Sequence, residues 1–132
     1  GDEVFLYYGG YARGHKVDRF EERQIGLVTM PRDRYVAREA GAPGRLTTPL
    51  LVLHGDALTV NTDARNGLLR VQVLDEAGAA IPNFTFEDCK PINSNELDAP
   101  LTWNTSLADL RAKAIRLEFI LENARIFALG LT

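Results

Sequence analysis

The sequence predicts an all-β protein, an antiparallel two-sheet β-sandwich of jelly-roll-like type. Three observations carry that prediction. Short apolar or alternating runs recur along the chain, with turn signals between them about every eight to twelve residues. Helical periodicity is nearly absent, so the crossover helices that a parallel sheet needs are missing. The chain has 132 residues, 45% hydrophobic and 25% charged, which is enough to bury a core without metal or disulfide staples.

In chain order, Val4-Phe5-Leu6-Tyr7-Tyr8 is a β-branched and aromatic run closed by Gly9-Gly10. Residues 11–22 lose periodicity and gather charge, which predicts a long loop. Residues 25–29 resume as a strand, Pro31 breaks it, and Arg34-Tyr35-Val36-Ala37-Arg38 alternates as the next. Gly41-Ala42-Pro43-Gly44 is a turn, followed by a strand over residues 46–53 with Pro49 at an edge or bend. Residues 57–62 form another strand, and Asn66-Gly67 is a hairpin signal. Leu68-Leu69-Arg70-Val71-Gln72-Val73-Leu74 is the clearest strand, with Leu69, Val71 and Val73 on one face and Arg70 and Gln72 on the other. Residues 81–86 and Leu101-Thr102-Trp103 read as short strands around a long polar loop over 87–100. Ser106 caps a single helical turn reaching Arg111. Ile115, Leu117, Phe119 and Leu121 alternate with Arg116, Glu118 and Glu122, and Glu122-Asn123 turns the chain into a last strand over 125–129.

The expected organisation is a leader over 1–22, holding one strand and a linker, followed by a sandwich over 23–132. Between them lies the seam of residues 23–36, bent at Met30-Pro31, where Arg32, Asp33 and Arg34 are expected to hold the junction by ion pairing. Gly1-Asp2-Glu3 reads as a cut within a larger polypeptide.

Net charge of −3 and a pI near 5.4 argue against nucleic acid or an anionic membrane as partner. No apolar run is long enough for a membrane-spanning helix. Cys89 is the single cysteine, so no intrachain disulfide forms, and with His15 and His54 it gives no metal-ligand spacing. Its expected role is packing. No Gly-x-Ser-x-Gly, P-loop or zinc motif is present. The adjacent carboxylates Glu21-Glu22 and Glu87-Asp88 point to opposite faces of an extended chain, which is no arrangement for glycoside cleavage. Oxygen-rich stretches over 88–98 (Asp88, Asn93, Asn95, Glu96, Asp98) and 61–63 leave room for a structural calcium, though neither has a fixed-spacing motif, and no cofactor is required.

Tyr8-Gly9-Gly10-Tyr11, His15-Lys16, Arg23-Gln24-Ile25-Gly26-Leu27 and Arg32-Asp33-Arg34-Tyr35-Val36 resemble the exit from a five-bladed propeller in invertase- and levanase-type glycoside hydrolases and their bacterial relatives. Gly44-Arg45-Leu46-Thr47-Thr48, Leu58-Thr59-Val60-Asn61, Gly67-Leu68-Leu69-Arg70-Val71 and Arg116-Leu117-Glu118-Phe119 are similar to the C-terminal sandwich of that family. The resemblance implies an accessory sandwich, secreted or extracytoplasmic, tethered to a glycosidase-like propeller. It implies no catalysis here, because the propeller that would carry the catalytic carboxylates is missing.

Six of the eleven aromatic residues fall between Phe5 and Tyr35. Tyr pairs an apolar ring with a polar tip, which suits sugar stacking. The expected ligand surface is therefore Tyr8, Tyr11 and Tyr35, with His15, Asp33 and Arg34 as polar partners. Trp103 suits either a platform at a sheet edge or a plug in the core. Two functions follow. One is a non-catalytic carbohydrate-binding module that takes a poly- or oligosaccharide by aromatic stacking. The alternative is an interface domain whose aromatic leader braces a propeller or a homodimer.

Overall fold

The computed structural model describes residues 1–14, 16 and 21–131. The chain divides into two compact units, Gly1–Arg32 and Asp33–Thr132.

The first unit is a two-stranded antiparallel ribbon of β1 (Glu3–Tyr11) and β2 (Arg23–Pro31), in unbroken register from Glu3↔Pro31 to Tyr11↔Arg23. The amide of Arg32 extends the ladder by donating to the Asp2 carbonyl at 2.8 Å. Gly26 lies opposite Tyr8, whose ring occupies the space a β-carbon would need, at 2.2 Å. This placement corrects the expected boundary. Residues 23–31 spend their hydrogen bonds on β1, so the break falls after Arg32 rather than before Arg23.

The second unit is an antiparallel sandwich. One sheet runs in the order β3 (Arg38–Ala40), β10 (Ala124–Leu131), β6 (Leu58–Asp63), β8 (Asn95–Pro100). In the other, β9 (Ala114–Glu122) is central, with β7 (Leu68–Leu74) on one side and β4 (Gly44–Thr47) and β5 (Leu51–Val52) sharing the opposite side. β4 and β5 are one strand interrupted at Pro49. Thr48 fills the gap: its amide donates to Leu117 O at 2.9 Å, and its hydroxyl accepts from Leu117 N at 3.0 Å.

The alternation legible in the sequence becomes the core. Leu69, Val71 and Val73 meet Ile115, Leu117, Phe119 and Leu121 in one sheet, and Leu58, Val60, Ala99, Ala124 and Ile126 close the layer from the other. A bulge in β10 between Ile126 and Ala128 resets the alternation, so Leu129 and Leu131 stand opposite the inward-facing Val60 and Leu58. Ser106 caps the 3₁₀ turn Leu107–Leu110 as expected, its Oγ accepting from Ala108 N at 3.2 Å.

Several expected elements differ. The turn at Asn66-Gly67 closes no hairpin but carries the chain from β6 in one sheet to β7 in the other. A β-carbon on Gly67 would stand 1.8 Å from Glu122 O, so glycine is required by close backbone approach there. Residues 33–37 form a turn rather than a strand, starting from Asp33 at φ 62°. Residues 81–86 also form turns, although Ile81 N donates to Val73 O and Phe84 O accepts from Val73 N, both at 2.9 Å. The polar stretch 87–100 ends in β8, because Asn95 to Pro100 complete the ladder with β6. Leu101-Thr102-Trp103 lies outside any strand, although Leu101 N donates to Leu58 O and Thr102 O accepts from Lys90 N, both at 2.9 Å.

Candidate functional site

The expected ligand residues are divided between the two units, and within the ribbon between its two faces. Tyr8 and Tyr11 stand on opposite faces of β1, because three positions separate them and strand side chains alternate. Asp33, Arg34 and Tyr35 belong to the other unit. His15 lies outside the described residues.

Arg34 is held within the sandwich through its Nε and Nη2. Its Nε donates to Asn61 Oδ1 at 2.8 Å, and its Nη2 donates to Asn95 Oδ1 at 2.7 Å, Thr62 O at 3.2 Å and Glu96 O at 3.3 Å. The guanidinium also lies 4.6 Å from the centre of the Phe127 ring. One side chain therefore ties β6, β8 and β10 together. Burial pulls its pKa down from the usual value while Asp63 pulls it up, and the group remains charged. Its hydrogen-bond acceptors are neutral amide and carbonyl oxygens, a different arrangement from the ion pairing expected at the seam. Tyr35 beside it is exposed.

Trp103 is half-buried against the core. Its Nε1 donates to Val71 O at 3.1 Å, and its ring meets Phe84 edge-on with centroids 5.7 Å apart. The platform alternative is thereby corrected, since both the polar tip and the ring edge are already used.

The oxygen-rich stretches are likewise occupied. Asp88 Oδ2 accepts from the Thr85 amide and hydroxyl, Glu96 accepts from Ser94, Asn95 accepts from Arg34, and Asp63 is chelated by Arg65. Among the described residues, no three His, Cys, Asp or Glu side chains converge.

Cys89 is buried, and its Sγ accepts the Val71 amide at 3.4 Å. Burial pushes its thiol pKa up, the opposite of what an activated nucleophile needs.

The surface that remains unexplained is the ribbon. None of its described residues is buried. One face carries Phe5, Tyr7, Tyr11, Ile25 and Leu27, with Tyr7 71% and Ile25 83% exposed. The other carries Leu6, Tyr8 and Val28, with Val4 and Met30 at its end. Thr29 lies opposite Phe5 on the first face, and Arg13 pairs with Glu22 at the mouth of the loop. Clustered apolar exposure of this kind is uncommon on monomeric proteins. Sequence reading placed Ile25, Leu27 and Val28 inside the sandwich and missed them. The available signal was that neither Val4-Phe5-Leu6-Tyr7-Tyr8 nor Ile25-Gly26-Leu27-Val28 alternates with polar residues, a pattern for strands covered on both faces.

These features define an all-β protein with a sandwich and an apolar two-stranded ribbon. Compared with models of known protein families, with curated proteins and with solved structures, the chain matches none.

Proposed function

We propose that this chain is a non-catalytic interaction module whose β1–β2 ribbon docks onto a protein partner. The observation that carries the reading is exposure of apolar side chains on both faces of the ribbon at once. A two-stranded ribbon alone is only marginally stable in water. Burying a side chain such as Leu27, Val28 or Ile25 contributes about 1.5–3 kcal/mol, so a partner that covers both faces stabilises the ribbon and gains affinity together. A glycan lies along one face, whereas a protein surface or sheet can enclose two.

The test places photocrosslinking residues at Tyr7 on one face and Leu6 on the other, in the protein at its natural abundance. Both positions should capture the same polypeptide. Labelling from one face only, or from neither, defeats the reading.

Carbohydrate binding is the second reading, favoured by one feature. Phe5, Tyr7 and Tyr11 form an exposed aromatic row on a single ribbon face. Calorimetric titration with plant, algal and microbial polysaccharides tests it. Binding that weakens at least several-fold in Tyr7→Ala and Tyr11→Ala supports the row as a stacking surface. No heat with any polysaccharide at millimolar sugar removes it.

A further inference from the structure

We infer that the cleft between β8 and residues 90–94 is a binding site for a short zwitterionic peptide, held with its carboxylate at Lys90 and its ammonium at Glu96. The cleft encloses about 390 Å³, within the range of small-ligand sites. It opens where the two sheets of the sandwich part. One wall is β8, at the edge of its sheet, and the other is the stretch around Ile92, which bridges to Leu69 at the edge of β7. Ile92 and Ala99 are buried at its floor.

Both walls are fixed before any ligand arrives. The Lys90 amide donates to Thr102 O at one end, and the Ala64 amide donates to Ser94 O toward the other, both at 2.9 Å. Between them, Ile92 and Leu69 exchange both backbone hydrogen bonds at 2.9 Å. On the β8 side, Glu96 O accepts from Arg34 Nη2 at 3.3 Å. A site assembled in advance spends little of its binding energy on ordering.

The polar lining selects the occupant. Lys90 and Glu96 carry opposite charges in one cleft, yet no ion pair joins them. Ser94 Oγ donates to Glu96 Oε1, which steadies the carboxylate and leaves Oε2 open. Among the described residues, no acceptor meets the Lys90 ammonium. A lone anion would be repelled by Glu96 and a lone cation by Lys90, whereas a molecule with one charge of each sign at its two ends answers both. A neutral sugar answers neither, and no aromatic ring lines the cleft for it to stack on. Lys90 and Ser94 are four steps of chain apart, about 13 Å at most, a span for two to three residues of extended peptide. The Asn93 amide and the Thr102 hydroxyl line the same cleft and have donors and acceptors for its peptide groups.

The probe is trialanine with both ends free, titrated into the protein and followed by amide NMR shifts. Shifts should move at Ile92, Asn93, Ala99 and Thr102 and saturate at millimolar peptide. N-acetyl-trialanine and trialanine amide should each bind on the order of ten-fold more weakly, the scale of one lost charged hydrogen bond. Glu96→Gln should bind trialanine and its N-acetyl form equally, and Lys90→Met should bind trialanine and its amide equally, both with the melting temperature retained. Trialanine that moves no amide of the cleft overturns the inference. So does binding that is indifferent to both caps, and so does discrimination against the caps that survives both substitutions.

Discussion

Trp103 Nε1 donates to the Val71 carbonyl at 3.1 Å, from outside the strand that Val71 belongs to. On the same residue, the Val71 amide is met by Cys89 Sγ at 3.4 Å. Leu69 and Val73, two positions either side, find backbone partners in Ile92, Ile81 and Phe84. An indole and a thiol thus complete the middle of an edge where no strand lies. Trp103→Phe keeps an aromatic ring beside Phe84 but leaves a carbonyl of the fully buried Val71 without its donor. The expected loss is about 1–3 kcal/mol, read as a lower urea midpoint at unchanged slope.

Cys89 should be slow to react. Its burial and raised pKa predict that a thiol reagent modifies it at the rate of unfolding, and quickly in denaturant. Cys89→Ala should cost about 1–3 kcal/mol by leaving the Val71 amide unpaired.

Arg34→Ala should destabilise the sandwich unit by about 2–3 kcal/mol, because Asn61, only 3% exposed, loses the guanidinium that donates to it. Arg34→Lys should recover only part of that, since an ammonium cannot reproduce the planar fork reaching Asn61 and Asn95 together. Paired chemical denaturation of the two variants tests the difference.

At Gly67, any side chain meets main chain rather than a movable group. Gly67→Ala drives its methyl toward Glu122 O and should cost about 2–3 kcal/mol. Gly78→Ala has open space around the new methyl and should show only the smaller penalty of its φ of 87°, making it a useful control in the same melt.

Asp63 gives a pH dependence. The side-chain hydrogen bond from Arg65 holds its carboxyl below the usual range, with Arg34 adding to the effect. A folded pKa depressed below the unfolded one contributes stability that is present above the unfolded value of about 3.9. That contribution is lost as pH falls through the lower folded value. Asp63→Asn should be less stable than wild type at neutral pH, with the gap closing in acid, as measured by melting temperature against pH.

How much of this was legible in the sequence depended on whether a signal was local. The alternation of Leu69, Val71 and Val73 and of Ile115, Leu117, Phe119 and Leu121 made the two central strands readable, because one buried face leaves a period of two. Ser106 announced its turn because a cap acts on the amide two residues on. The fates of Arg34, Trp103 and Cys89 were not readable, because their partners lie 18 to 62 residues away and depend on the finished topology. The ribbon was misplaced for a different reason. A strand apolar on both faces looks, in sequence, like the centre of a core, and β2 was assigned to the core nearest along the chain.

The molecule also carries its own optical bookmarks. It has a single tryptophan, and that indole is fixed to the Val71 edge of the sandwich, while Tyr7, Tyr8 and Tyr11 belong to the ribbon. Indole fluorescence therefore follows the sandwich and says nothing of the ribbon. Tyrosine labelled with fluorine at the ribbon positions would follow the other unit by its NMR resonance. One unlabelled and one labelled sample can then tell whether the two units melt as one cooperative body or as two.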